Sequence, residues 1–431
     1  MNVAIIGYGA VEGPSMLDYW HKRNATITVC EQNKDAKIPD GVATQLGDNY
    51  LDNLDRFDVI MRNPAVPPKV ILDKNPGVAG KITTIVNEFL RVCPTKNTFG
   101  VTGTKGKGTT STLITKMLQA AGKQVFLGGN IGNSPFDFLD QITPESCVVL
   151  ELSSFMLMDI THSPHIGVCV MVVPEHLNWH ADMEEYITAK SHMFAYQNPH
   201  DTAVYFADNQ LSHRIASASP GAKIPYYASP GAYVDGENIV IDNHVICSVH
   251  DLKLLGKHNW QNACAATTAV WQLVQEIAPI REVLTSFTGL EHRLELVREL
   301  DGVKYYDDSF GTTPETAEVA IEAFTEPKVV ILGGSDKGAS YDGLAKTVAA
   351  NNVRQVIAIG QMAPVIVDAL HAEGYTAITP GGTTIADIVR ATKNAAQPGD
   401  VVLLSTACAS FDMFKDYKDR GEQFKAAVRA L

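Results

Sequence analysis

The sequence lacks a long hydrophobic run and an excess of positive charge. Its longest apolar stretch, residues 166–173, is far shorter than the roughly 18 residues that span a bilayer, so we expect no membrane insertion. Lys and Arg number 35 against 48 Asp and Glu, a net charge of −13 that disfavours a general nucleic-acid binder. This charge does not exclude a local site for one phosphate ligand.

Cysteines are also few, at seven, and they form no Cys-x-x-Cys pair. Several lie inside apolar runs, as Cys169 does between Val168 and Val170. This usage is typical of small buried residues in a reducing compartment. An apolar strand begins at Val3 with no basic segment before it, which argues against a secretory signal. We therefore predict a cytoplasmic protein.

The 431 residues are 45% hydrophobic and 19% charged, which is the balance of a globular protein with several cores. Short β-branched runs alternate with longer helical patterns, as is typical of βαβ units. We predict three α/β domains with largely parallel sheets, at residues 1–93, 94–290 and 291–431. Within the second, Ile166 to Val173 predicts one strand and His258 to about Ala278 predicts one helix.

The sharpest motif lies between a predicted strand and a predicted helix, and it reads Gly103-Thr104-Lys105-Gly106-Lys107-Gly108-Thr109-Thr110. Glycines let backbone N–H groups converge on a phosphate, and the helix N-terminus adds positive potential. Lys107 can reach the terminal phosphates of a nucleotide. A standard phosphate loop has Ser or Thr where this chain has Gly108, so we predict that Thr109 supplies the hydroxyl for Mg²⁺.

Three further residues follow or face the same predicted sheet. Glu151 ends one apolar strand and His176 follows another, and ligands of open α/β sheets bind at the carboxyl ends of strands. Glu151 is therefore a candidate Mg²⁺ ligand and His176 a candidate site residue. Lys190 lies on the apolar face of its predicted helix, where a buried cation is costly. It either extends its amine to solvent or is carbamylated, which would make it a metal-binding carboxylate.

The first predicted domain has a glycine-rich turn of its own, Gly7-Tyr8-Gly9-Ala10-Val11-Glu12-Gly13. It resembles a dinucleotide fingerprint, but Glu12 stands where the third glycine belongs. A single motif of this type is weak. We favour some nucleotide diphosphate at this helix start over NAD.

Together these segments resemble the Mur ligase family of ATP-dependent amino-acid-adding enzymes, and most closely its glutamate-adding branch. The resemblance covers nearly the whole chain and is weakest in the first block. Beyond the phosphate loop it rests on Glu151-Leu152-Ser153-Ser154-Phe155, Pro174-Glu175-His176-Leu177, Ala189-Lys190, Gly256-Lys257-His258-Asn259-Trp260-Gln261-Asn262-Ala263, Gly289-Leu290-Glu291-His292-Arg293-Leu294-Glu295, Asp307-Asp308-Ser309, Gly333-Gly334-Ser335-Asp336-Lys337-Gly338 and Ser405-Thr406-Ala407-Cys408-Ala409-Ser410-Phe411-Asp412.

The resemblance implies an N-terminal Rossmann-like domain for a UDP substrate, a central P-loop ATPase domain and a C-terminal Rossmann-like domain for the amino acid. It implies that ATP phosphorylates the carboxylate of UDP-N-acetylmuramoyl-L-alanine and that D-glutamate attacks the acyl phosphate, in cytoplasmic peptidoglycan precursor synthesis. We expect a monomer that uses two Mg²⁺ ions.

Residue roles also follow from the resemblance. Thr109 and Glu151 would serve one Mg²⁺, His176 and a carbamylated Lys190 the other, while Lys107 would stabilise the transferring phosphoryl group. The remaining contacts divide among ATP (Asn262, Arg293 and Asp308), the muramoyl substrate (Asn130 and Ser153) and glutamate (Thr312, Lys337, Ser410 and Phe411).

Three departures from the family pattern keep alternatives open. The Gly-Lys-Gly-Thr order around Gly108 is closer to folylpolyglutamate synthase, a relative that also adds glutamate. Phe310-Gly311 stands where the D-glutamate enzyme commonly has Lys-Ala, so L-glutamate is an alternative substrate. Glu175 replaces the usual Asp. A third alternative is a nucleotide-binding regulatory protein on the same fold.

Overall fold

The computed structural model describes residues 1–8, 12–177, 179–254, 256–336 and 339–431. The chain divides into two compact units, Met1–Phe287 and Thr288–Leu431. Both units are α/β with mainly parallel sheets, which confirms the predicted fold class. The first unit contains two of the three predicted domains, and the division between them near residue 93 stays a prediction.

The first unit begins with a parallel sheet of five strands, β1 (Asn2–Ile6), β2 (Thr26–Glu31), β3 (Ala43–Leu46), β4 (Val59–Arg62) and β5 (Ile82–Thr83). Helices α1 (Gly13–His21), α2 (Pro68–Lys74) and α3 (Ile85–Val92) connect or follow these strands. The strand order is β3-β2-β1-β4-β5, so the chain reverses direction across the sheet between β1 and β4. Open α/β sheets bind ligands outside the carboxyl ends of the strands at such a reversal.

A second parallel sheet follows, made of β6 (Thr98–Thr102), β7 (Val125–Gly129), β8 (Cys147–Glu151), β9 (Ile166–Cys169), β10 (Thr202–Phe206) and β11 (Ala222–Tyr226). Its order is β11-β10-β9-β6-β8-β7. Strand β8 is buried along its whole length because both faces of a parallel sheet are covered. The helices of this part are α4 (Lys107–Ala120), α5 (Pro135–Phe138), α6 (Ser154–Leu157), α7 (Met183–Ala195), α8 (Gln210–Ala216), α9 (Lys257–Trp271) and α10 (Ile277–Ser286).

A small antiparallel sheet of β12 (Tyr233–Asp235), β13 (Asn238–Ile241) and β14 (His244–Ser248) completes the first unit. Two element predictions were wrong here. The strand predicted to Val173 ends at Cys169, because the chain leaves the sheet there to contact the phosphate loop. The helix predicted to Ala278 ends at Trp271, and α10 begins separately at Ile277.

The second unit has a mixed sheet of six strands, β15 (Glu295–Leu300), β16 (Val303–Asp307), β17 (Lys328–Gly333), β18 (Val353–Ile359), β19 (Ile378–Pro380) and β20 (Val401–Leu404). The order is β15-β16-β20-β17-β18-β19, and only the β15–β16 pair is antiparallel. Its helices are α11 (Pro314–Glu322), α12 (Asp342–Ala350), α13 (Ala363–Ala372), α14 (Ile385–Ala395) and α15 (Tyr417–Arg429).

Two compositional expectations can be compared with this fold. Six cysteines are buried and Cys93 is partly exposed, and all seven are free thiols, as the sequence predicted. Across the described ranges, no helix combines the length and the apolar character that crossing a bilayer requires.

Candidate active site

The phosphate-loop motif forms the turn between β6 and α4. Gly103 has φ +138° and Gly106 has φ +92°, values that favour glycine. A Cβ atom at Gly103 would lie 2.5 Å from Val170 Cγ2, and one at Gly106 would lie 2.3 Å from Asn262 Oδ1. Helix α4 begins at Lys107 with no side-chain cap among the described residues. A helix N-terminus of this kind, preceded by glycine, is a suitable place for an anion.

Thr104 anchors this loop to the segment that leaves β9. Its amide donates to Met171 O (2.7 Å) and its hydroxyl donates to Val173 O (3.0 Å). Because the single hydroxyl proton is used there, the Tyr186 hydroxyl donates to Thr104 Oγ1 (2.8 Å). The Lys105 amide also bonds Met171 O, at 3.2 Å. These two members of the predicted nucleotide set thus have backbone amides that are already engaged with protein.

Three lysines surround the loop in different environments. Lys107 Nζ donates to Thr104 O at 3.0 Å, and the exposed Lys105 pairs with Glu175 at 3.2 Å. Lys190, on the apolar face of α7, is buried and does not extend its amine to solvent, and its Nζ donates to Gly103 O at 2.8 Å. Burial, reinforced by the charge of Lys107, lowers the pKa of Lys190 to about 7. A large share of Lys190 is therefore a neutral amine at neutral pH.

Glu151 lies buried at the carboxyl end of β8, next to β6 in the sheet. Its Oε1 accepts a hydrogen bond from Asn130 Nδ2 (2.8 Å), and the Asn130 amide donates to Glu151 O (2.9 Å). No lysine, arginine or histidine within the described ranges forms an ion pair with it. The side chain of Asn130 thus orients this carboxylate, and its predicted contact with substrate stays a prediction.

His176 lies in a tight turn that follows Val170–Val173, the segment that leaves β9, and it has φ +59°. Its ring lies 4.9 Å from the Phe155 ring, which brings it beside the segment after Glu151. Partial burial lowers the pKa of His176. The negative charge of Glu175 raises this pKa, whereas the positive charges of Lys107, Lys190 and Lys105 lower it further. The imidazole is thus held neutral, the form that can bind a metal ion.

The donor set of the first unit fits Mg²⁺, which prefers carboxylate and hydroxyl oxygens together with phosphate oxygens and water. Glu151 offers a buried carboxylate without a cationic partner. Thr109 is half-buried in the first turn of α4, whereas the hydroxyl of Thr110 is fully buried. Thr109 is therefore the more accessible of the two, and its role as a Mg²⁺ ligand stays a prediction.

Within the described part of the chain, one group of three acidic or histidine side chains is close enough to share a metal ion: His292, Glu295 and Asp307 in the second unit. His292 Nδ1 bonds Asp307 at 2.7 Å, and Glu295 pairs with Lys425 at 3.3 Å. These pairings explain why the three side chains lie together: they form a largely buried polar network that supports the chain around Arg293 and Asp308.

Two further predicted residues, Asp308 and Arg293, lie next to β16 and β15 of the second unit. Asp308 is buried and accepts hydrogen bonds from Ser405 Oγ (2.6 Å) and Leu294 N (3.1 Å), and burial raises its pKa to about 6. The Arg293 guanidinium lies 5.7 Å from the centre of the Phe310 ring. Arg293 and Phe310 therefore form a cation–aromatic pair.

The predicted glutamate-binding residues differ in exposure. Thr312 is half-exposed, Ser410 is buried and Phe411 is 73% exposed. Lys337 lies outside the described residues, as do Gly9, Ala10 and Val11 of the first glycine-rich turn. Ser153 caps α6 by accepting a hydrogen bond from Met156 N (3.3 Å). Asn262 is buried in α9, and its Nδ2 donates to Asn259 Oδ1 (3.0 Å).

Sequence reasoning missed two residues that shape the first unit. Tyr186 fixes Thr104, but an aromatic residue on a helix carries no signal that separates this contact from ordinary core packing. Arg62 is completely buried at the end of β4, after the apolar run Val59–Met61. The signal that identified Glu151, a charge at the end of an apolar strand, was present at Arg62 as well.

Known proteins match this chain along its length. Residues 101–270 match the Mur ligase middle domain, and residues 292–408 match the Mur ligase, glutamate ligase domain. The UDP-N-acetylmuramoylalanine–D-glutamate ligase of Symbiobacterium thermophilum is 37% identical over 100% of this chain and 98% of that protein. The enzyme of the same name from Clostridium tetani is 35% identical over 100% and 97%. The chain belongs to the Mur ligase family.

Solved structures of Mur ligases have the same fold. The MurF ligase from Thermotoga maritima, in complex with ADP, aligns with a TM-score of 0.57 at 17% identity over 99% of this chain and 95% of that one. FolC from E. coli, in complex with DHPP and ADP, aligns with a TM-score of 0.57 at 16% identity over 80% and 92%. At these identities the likeness shows the fold alone. The predicted family, the Mur ligase fold and the ligase class are confirmed, while the individual site residues stay predictions.

Proposed function

We propose that this Mur ligase joins D-glutamate to UDP-N-acetylmuramoyl-L-alanine, with cleavage of ATP to ADP and phosphate, in peptidoglycan precursor synthesis. Relatives of nearly equal length that are named for this activity support the substrate assignment. The structural observation that carries the proposal is the glycine-rich β6–α4 turn, with buried Lys190 bonded to it and Glu151 ending the neighbouring strand.

The reaction has two balanced steps. A carboxylate oxygen of the acceptor attacks the γ-phosphorus of ATP, the bond to the β–γ bridging oxygen breaks, and ADP leaves an acyl phosphate behind. The amine of glutamate then attacks the carbonyl carbon, loses a proton, and expels phosphate to leave an amide. Both steps bring anions together, so catalysis depends on positioning and on stabilisation of negative charge.

The β6–α4 turn supplies the groups for the first step. The N-terminus of α4 would direct its backbone N–H groups toward the phosphates of ATP. Lys107 would stabilise the phosphoryl group during its transfer. Arg293 and Asp308 would contact the adenosine and phosphates, and Asn262 the adenine. In the structure Lys107 Nζ donates to Thr104 O, a neutral carbonyl that a phosphate oxygen can replace as its partner.

Thr109, Glu151, His176 and Lys190 would hold Mg²⁺, with two ions expected. Bound Mg²⁺ neutralises charge on the phosphates and on the phosphoryl group in transfer. Lys190 joins this set after carbamylation, in which its neutral amine attacks CO₂ and a proton is released to solvent. The lowered pKa of Lys190 supports this step because only the neutral amine is a nucleophile.

The other substrates would occupy the remaining predicted positions. The UDP group would lie at the carboxyl ends of β1 and β4, and the muramoyl side near Asn130 and Ser153. Glutamate would contact Thr312, Lys337, Ser410 and Phe411. We further propose that the enzyme acts in the cytoplasm as a monomer, because its nucleotide substrates are cytoplasmic metabolites and each proposed contact lies within one chain.

The test is phosphate release from ATP and Mg²⁺ with UDP-N-acetylmuramoyl-L-alanine and either D- or L-glutamate. We expect turnover with D-glutamate and little with L-glutamate. Without glutamate, hydroxylamine should trap the acyl phosphate as a hydroxamate. Turnover only with L-glutamate would overturn the stereochemical assignment, and turnover only with a pteroate-type acceptor would favour a folylpolyglutamate synthase. ATP binding without phosphate release from any acceptor would indicate a regulatory protein.

A further inference from the structure

Arg62 forms a buried polar contact between the two parallel sheets of the first unit. Its side chain is 0% exposed, and all three guanidinium nitrogens donate hydrogen bonds. Nε bonds Asp159 Oδ2 at 2.6 Å, and Nη2 bonds Phe155 O at 3.0 Å. Nη1 lies between three carbonyl oxygens of its own loop, those of Asn63, Pro64 and Val66, at 3.2, 3.1 and 2.8 Å.

The two sets of acceptors belong to the carboxyl ends of strands in different sheets. Residues 63–66 form the loop after β4, beside the point where the first sheet reverses strand order. Phe155 and Asp159 follow β8, whose last residue is Glu151. One side chain therefore joins the loop on the proposed UDP side to the segment that follows the proposed Mg²⁺ ligand.

The contact continues from Phe155 to the turn of His176. The Phe155 ring lies 4.9 Å from the His176 ring and 4.5 Å from the Trp179 ring. Nearby, His180 Nε2 and Ser154 Oγ share a hydrogen bond of 2.9 Å. A shift of the Phe155 backbone would displace the ring against which His176 packs, so Arg62 has a direct structural route to the metal-binding turn.

Two kinds of contact accompany Arg62. Buried Asn87 accepts a hydrogen bond from Thr161 N at its Oδ1 (2.8 Å), whereas other pairs are exposed. Ser15 Oγ bonds Asp137 Oδ1 at 2.6 Å and Lys22 bonds Asp140 at 3.3 Å, both through exposed groups of α1 and of residues 137–140. Such exposed pairs contribute little to stability. A buried guanidinium is costly to desolvate, and burial lowers the pKa of Arg62. The buried guanidinium is stable only when all of its hydrogen-bond acceptors are in place. The positions of the groups that surround Arg62 are therefore narrowly defined.

We propose that Arg62 is a positioning residue of the ligase: it holds loop 63–66 against the Phe155 segment, so that the acceptor carboxylate meets the γ-phosphate. This inference rests on the proposed function. Lysine cannot replace the guanidinium, since a single ammonium has three donors in a compact group and cannot span acceptors on both sides. The expected defect is in use of the UDP-linked acceptor, while ATP binding in the β6–α4 turn is retained.

The experiment compares Arg62→Met and Arg62→Lys with the wild type in the ligase assay, with Lys22→Gln as the matched control between the same sheets. We expect kcat/KM for the acceptor to fall at least about tenfold in both Arg62 variants, with part of the loss in kcat. Direct binding of ATP without acceptor should change less than about twofold. Lys22→Gln should match the wild type in every measurement.

A second variant separates positioning from stability. Arg62→Met leaves the Asp159 carboxylate without its cation, so the melting temperature should fall. Adding Asp159→Asn removes that charge and should recover much of the melting temperature, but not the acceptor kinetics. Recovery of both would overturn the proposal, as would folded Arg62 variants with wild-type acceptor KM and kcat. An inactive wild type would overturn the proposed function and Arg62 with it, whereas active wild type and Arg62→Met would overturn the Arg62 assignment alone.

Discussion

The first unit contains two strand–glycine turn–helix elements that differ in the charge they present. One connects β1 to α1 and the other connects β6 to α4. Each follows the first strand of its sheet and has glycine at positive φ, +82° at Gly7 and +138° at Gly103. Neither helix has a side-chain cap at its N-terminus in the described residues. At the level of the backbone, both are candidate anion sites.

Their side chains separate them. The β6–α4 turn has Lys105 and Lys107, whereas the β1–α1 turn ends in Glu12. One Glu12 carboxylate oxygen is buried without a hydrogen-bond partner among the described residues, and burial raises its pKa to about 7. A deprotonated Glu12 would repel a phosphate at this helix start. Among the described residues both turns thus share a glycine at positive φ, but only the β6–α4 turn has lysines to balance the charge of a triphosphate.

Lys107→Met should produce the largest effect on this comparison. Removing the amine that follows the transferring phosphoryl group should lower kcat by about 10²–10³-fold, because its contribution is greatest in the transition state. Steady-state phosphate release measures this. Lys123→Met, an exposed lysine beyond the other end of α4, is the matched control and should retain activity. Equal activity of both variants would remove the distinction between the two turns.

Lys190→Ala tests the buried amine beside the same turn. We expect a loss of about a hundredfold, because a metal-binding group is removed. If the wild-type residue is a carbamate, acetate or another short carboxylate should restore part of the activity. Glu184→Gln on the exposed face of α7 controls for changes to the helix and should show neither loss nor rescue. A loss that no carboxylate reverses would count against carbamylation.

Gly106→Ala tests the backbone of the phosphate turn. The new Cβ would meet Asn262 Oδ1 at 2.3 Å in addition to the strain of φ +92°, so ATP affinity should fall by about tenfold. Gly122→Ala provides a matched comparison, since it has φ +75° but no neighbouring atom within 4 Å. Titration with ATP measures both. Identical affinities would show that the close approach to Asn262 has no bearing on nucleotide binding.

Glu12→Gln, in the β1–α1 turn, should give the smallest effect, and this effect should be on stability. The folded state raises the pKa of Glu12 from 4.5 to about 7, so the folded protein binds more protons than the unfolded chain between these values. The free energy of unfolding therefore falls as pH rises through this window. Between about pH 5 and pH 8, the wild type should lose on the order of 1–2 kcal/mol more than Glu12→Gln. Denaturant unfolding curves with parallel pH profiles would contradict the burial of this carboxyl.

Much of the β6–α4 turn could be predicted because the sequence features that specify it are local. Glycine at positions 103 and 106, Lys107 and the amphipathic helix after it are adjacent in sequence, and the structure has the turn where the pattern placed it. Helical periodicity placed Lys190 on the apolar face of its helix, but only the structure showed that its amine is buried. The end of β9 could not be predicted, because Val170–Val173 are as apolar as the strand. In the structure they leave the sheet, and two of their carbonyl groups accept hydrogen bonds from Thr104.

The sequence by itself determined the α/β class, the family and the strand–turn–helix that we propose binds a nucleotide, because periodicity and short motifs report local backbone preference. Tertiary structure decided which charged residues act together. Asn130 is directed to Glu151, and Arg62 spans two sheets to Phe155, over separations of 21 and 93 residues. Such pairings depend on buried donors finding acceptors from distant segments, since an unsatisfied charge in the interior is costly, and no local pattern specifies the partner.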